Sequence, residues 1–92
     1  MNHSQKNQET WVEHQPYTAM LRQYSAAADR LMLRLRELQQ ECKSLQQSKK
    51  HTAESANAQR SLERRIDLLR SEYYETTDCI REIGIYAAKE TQ

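Results

Sequence analysis

Tyr17, Leu21, Tyr24, Ala28, Leu31, Leu35, Leu38, Cys42 and Leu45 follow one another at alternating steps of four and three residues. The mean step of about 3.5 residues keeps one stripe of an α-helix turned toward a partner helix, and it does not fit the two-residue period of a strand. In heptad terms Leu21, Ala28, Leu35 and Cys42 take a positions and the others d. The rhythm stops between Gln46 and Ser61, where no apolar side chain is larger than Ala. It returns at Leu62, Ile66, Leu69, Tyr73, Thr76, Ile80, Ile83 and Ala87, with Thr76 as the one polar member.

Composition supports helices. Ala, Glu, Lys, Leu and Arg supply 42 of 92 residues, and there is one Gly and one Pro. That is close to the roughly 50% typical of long helices. Leu, Ile and Val together number only 14, too few for a conventional globular core. Sandwiches, barrels and doubly wound sheets need β-branched runs and Gly/Pro turns that the chain lacks. The expected fold class is all-α.

The two seams do not share a frame. Leu45 and Leu62 both read as d but lie 17 residues apart, so one continuous rod needs a three-residue stammer. Ser48, Thr52, Ser55 and Asn57 in the polar gap favour caps and turns. Folding the chain back sets Leu45 against Leu62, Leu38 against Leu69, Leu31 against Thr76 and Tyr24 against Ile83. It also sets Cys42 against Ile66, Leu35 against Tyr73, Ala28 against Ile80 and Leu21 against Ala87. On one flank of that seam Arg34 faces Glu72 and Glu41 faces Arg65, both opposite in sign. The reading is an antiparallel two-helix coiled-coil hairpin. Its alternative is one long helix in an antiparallel dimer, which makes the same contacts between chains.

The expected organisation is a mobile polar segment over residues 1–15 and a helical hairpin over 16–92. Within the hairpin the helices run from about 16 to 49 and from about 57 to 88, with the turn at about 50–56. Thr10 and Glu13 have capping-box spacing, Trp11 and Val12 form a small apolar hook, and Pro16 suits the first helical position.

Two helices bury one stripe each, so a further contact is expected. Toward the open end the flank turns apolar: Met20 faces Tyr86 and Ala27 faces Cys79. These four form a candidate association face, and Met32, Leu33, Leu68, Tyr74 and Ile85 also lie outside the seam. The expected partner is a second hairpin, giving a four-helix bundle, or a helix of another protein.

Chemistry is not indicated. With one Gly, no phosphate-binding or nucleophile-elbow motif exists. His3, His14 and His51 are far apart, and no carboxylate occupies an a or d position as assigned above. No catalytic residue, cofactor or metal is expected. Cys42 reads as a small apolar seam residue, and Cys79 lies about two heptads away, too far for a disulfide within one hairpin.

Charge carries the remaining signal. Residues 43–65 hold six basic and two acidic side chains, whereas residues 66–92 hold three basic and six acidic ones. The hairpin tip is therefore basic, with Lys49, Lys50, Arg60 and Arg64 as candidate phosphate contacts. No aromatic residue interleaves them, so any nucleic-acid binding is expected to be weak and sequence-independent. There is no run of apolar residues long enough to span a membrane and no secretory h-region, and the chain reads as cytoplasmic. The expected function is a small non-enzymatic interaction or scaffold module. The alternative is a nucleic-acid-binding accessory protein acting through the tip.

Overall fold

The computed structural model describes residues 15–48 and 51–91. The chain forms a helical hairpin of α1 (Pro16–Gln47, 32 residues) and α2 (Ala53–Glu90, 38 residues). At 1.5 Å per residue the helices are about 48 and 57 Å long. The molecule measures 65 × 31 × 15 Å, so it is one helix thick. The capping box expected at Thr10–Glu13 and the Trp11–Val12 hook lie outside the described residues.

The core follows the heptad stripe. Leu35, Leu38, Cys42, Leu62 and Ile66 form one buried cluster toward the tip, with Met32, Leu45 and Leu69 packed against it. Leu38 is 0% exposed. Ala28, Ile83 and Ala87 are buried toward the open end. Between these groups Leu31, Tyr73, Thr76 and Ile80 are half-buried, as is Leu21 near the open end. Thr76 does not leave an orphaned hydroxyl in the seam, because its Oγ1 donates to the Glu72 carbonyl at 2.7 Å. Tyr17 and Tyr24 belong to the stripe by spacing but are exposed.

The turn departs from expectation. α1 ends two residues early, at Gln47, with the Ser48 amide donating to the Leu45 carbonyl at 3.2 Å. α2 begins at Ala53, about four residues before the expected start. The reason is a reciprocal cap at Thr52. The Ser55 amide donates to Thr52 Oγ1 at 3.1 Å, and the Thr52 amide donates to Ser55 Oγ at 3.0 Å. Glu54 in the first turn and Lys89 in the last complement the helix dipole. Because α1 stops near the level of residue 60, the first two turns of α2 project past it.

Candidate functional site

The open end is closed by a contact between the helix termini. Gln15 precedes α1 but makes no side-chain cap. Instead the Glu90 carboxylate accepts from the Tyr17 amide at 2.8 Å, the Thr18 amide at 3.0 Å and the Thr18 hydroxyl at 2.8 Å. Glu90 lies one step beyond Ala87, past the last seam position assigned from the sequence, and continues the stripe to the end of α2. Its pKa is lowered below the ordinary 4.5: partial desolvation opposes ionisation, and the donors from Tyr17 and Thr18 outweigh it.

Beside this cap, Tyr86 stacks on Tyr17 with ring centroids 5.1 Å apart, and the Lys89 ammonium lies 5.5 Å from the Tyr86 ring. Sequence spacing places Met20 opposite Tyr86, and the Tyr86 ring stacks on Tyr17. Met20, Cys79 and Tyr86 are exposed and Ala27 is half-buried. Further along, Leu33, Leu68, Tyr74 and Ile85 are also exposed, Leu68 by 68%. The chain thus carries apolar surface that its own two helices do not cover.

The middle of the same flank is charged. The expected cross-seam pair of Arg34 with Glu72 is not formed; Arg34 bonds Glu37 at 3.0 Å. A carboxylate one helical turn away is met at lower side-chain entropy cost than one across the seam. Glu41 and Arg65 make no ion pair within 4.0 Å either. They stand on the walls of one groove of about 540 Å³, together with Gln40, Ser44, Leu45, Ala58, Ser61 and Leu62. Long exposed side chains at such a site remain in water at little cost.

At the tip, Lys49 and Lys50 lie outside the described residues. Arg60 donates to Asn57 Oδ1 at 2.6 Å. Arg64 and Arg65 are exposed and have no carboxylate within 4.0 Å among the described residues. Cys42 is buried, Cys79 is exposed and both are free thiols. Among the described residues, no group of three His, Cys, Asp or Glu side chains could hold a metal ion, and no helix is long and apolar enough to cross a membrane.

Compared with protein-family models, curated proteins and solved structures, the chain matches none.

Proposed function

We propose that this chain is a small, cytoplasmic, non-enzymatic interaction module that self-associates as a dimer through its uncovered apolar surface. The observation that carries the reading is a hairpin one helix thick with Tyr17, Met20, Tyr24 and Tyr86 all exposed in its open half. Contiguous exposed apolar side chains rimmed by polar ones mark association surfaces. Two such hairpins packed together make a four-helix bundle, the simplest closed arrangement for this shape. Light scattering on the purified full chain at micromolar concentration tests it. A mass near twice 10.9 kDa is expected, and a cooperatively folding monomer overturns the reading.

A second reading rests on Arg64 and Arg65, which are exposed near the tip without a carboxylate partner. On this reading the tip contacts phosphates of nucleic acid. Binding of a generic duplex at about 50 and 200 mM salt should then fall steeply with salt, by about 0.9 in log–log slope per phosphate contacted. Lys49→Glu combined with Lys50→Glu should weaken it further. Absence of binding at the lower salt, or indifference to those changes, removes this reading.

A further inference from the structure

We propose that two copies of the hairpin pair through the flank that holds the Glu41–Arg65 groove, with their tips together and the twofold axis along the hairpin. The inference rests on the dimeric reading above and adds the charged tip half of the face and the orientation of the two copies.

The flank is graded. In its tip half the facing positions are Glu41 with Arg65 and Arg34 with Glu72. In its open half they are Ala27 with Cys79 and Met20 with Tyr86. Glu41, Arg65 and Glu72 are exposed and have no ion-pair partner among the described residues, while Arg34 reaches only Glu37. A twofold axis along the hairpin lays α1 of one copy against α2 of the other at the same level. Glu41 then meets Arg65 of the second copy, and Arg34 meets Glu72 of the second copy. Apolar meets apolar at the two remaining levels. Twofold symmetry repeats every contact, so the interface is self-complementary along its length.

Turning the second copy end for end, with the axis across the hairpin, destroys this match. The Met20 level then lies on the Glu41 level and the Ala27 level on the Arg34 level. Charges are desolvated against apolar groups without partners, which is strongly unfavourable. The opposite flank is a poorer candidate. Thr18, Ser25, Met32, Thr77 and Gly84 are already half-buried there. Its tip half sets Gln39 against Arg70 and Gln46 against Glu63, one charge per level, so a second copy finds no opposite charge.

The test separates contacts between chains from contacts within one. One variant carries Arg34→Glu with Glu41→Arg, and the other carries Arg65→Glu with Glu72→Arg. Each alone sets like charges together at both levels, within the chain and between copies. Mixed, the two variants restore opposite charges only between copies. Each variant alone is expected to dimerise roughly tenfold or more weakly than the unmodified chain, and the equimolar mixture to recover most of that loss. A mixture no better than its components overturns the proposal.

A distance measurement keeps the proposal open to refutation should the variants fold poorly. A spin label is placed by Glu54→Cys at the exposed start of α2, in a chain also carrying Cys42→Ala and Cys79→Ala, which keeps the Ala27–Cys79 level apolar. With helices packed at about 10 Å, paired tips bring the two labels within about 40 Å. An end-for-end dimer separates them by a distance near the 65 Å length of the hairpin. A dimer with distant labels overturns the orientation and leaves the dimeric reading standing. A monomeric unmodified chain overturns both.

Discussion

Thr18 and Glu90 lie 72 residues apart in sequence and share two hydrogen bonds, one from the Thr18 amide and one from its hydroxyl. Together with the Tyr17 amide, these contacts satisfy the donors of the first turn of α1. Pro16 has no N–H to satisfy, Tyr17 and Thr18 donate to Glu90, and the Ala19 amide donates to the Gln15 carbonyl at 3.2 Å. The cap that a helix ordinarily finds in its own preceding residue is supplied by the last turn of its partner. The same contact holds the open end in register and brings a negative charge to the positive end of the α1 dipole.

This cap makes stability depend on pH with a definite sign. Glu90 is more acidic in the folded chain than its ordinary 4.5, so it binds its proton more readily when unfolded. Its contribution is fully present above the unfolded value and is lost as pH falls through the folded one. Thermal melts of the unmodified chain and of Glu90→Gln should differ most near neutral pH and converge below 4.5. Comparing the two cancels the other carboxylates. A gap between the melts that stays constant down to low pH removes the cap from the account.

Truncation along α1 should separate core from surface. Leu38 is 0% exposed and Leu33 is 62% exposed, five residues away on the same helix. Leu38→Ala should cost about 2–5 kcal/mol by urea denaturation. Leu33→Ala should stay within about 0.5 kcal/mol in the monomer. Equal losses at the two sites would mean that Leu33 is buried in solution, and the association surface would have to be redrawn around it.

The seam was legible because periodicity reports burial directly: Ala28, Leu35, Leu38, Cys42, Leu62, Ile66, Ile83 and Ala87 are both on the stripe and buried. The start of α2 was not, because residues 53–61 bury little and the helix there follows propensity and capping. Thr52 and Ser55 have capping-box spacing, but the usual Glu or Gln at the third helical position is a Ser. Glu90 escaped for a different reason. A lone acidic residue at a chain end gives no sign of its partner until the register brings Tyr17 and Thr18 beside it. The charge pairs are a different case: the register sets Arg34 level with Glu72, but the exposed Arg34 side chain bonds Glu37 one turn away on its own helix.

The Thr52 cap can be tested by itself. Thr52→Ala removes the acceptor for the Ser55 amide at 3.1 Å and leaves no side-chain oxygen to replace it. The expected loss is about 1 kcal/mol, within the usual range of about 0.5–2. Hydrogen exchange should quicken over the first turns of α2 and remain unchanged near Glu90. Unaltered exchange at Ser55 and Ala56 would show that the projecting turns do not rely on the cap.

Gly84 offers a stabilising change that also probes the choice of flank. It lies within α2, and a Cβ built there meets nothing within 4 Å. Gly84→Ala should therefore raise the unfolding free energy by up to about 1 kcal/mol, since Gly costs that much relative to Ala inside a helix. Gly84 belongs to the flank opposite the Glu41–Arg65 groove, so dimer affinity measured on the same variant should be unchanged. If the substitution stabilises the fold but weakens the dimer, a second chain must approach α2 closely at Gly84, and the interface lies on that flank instead.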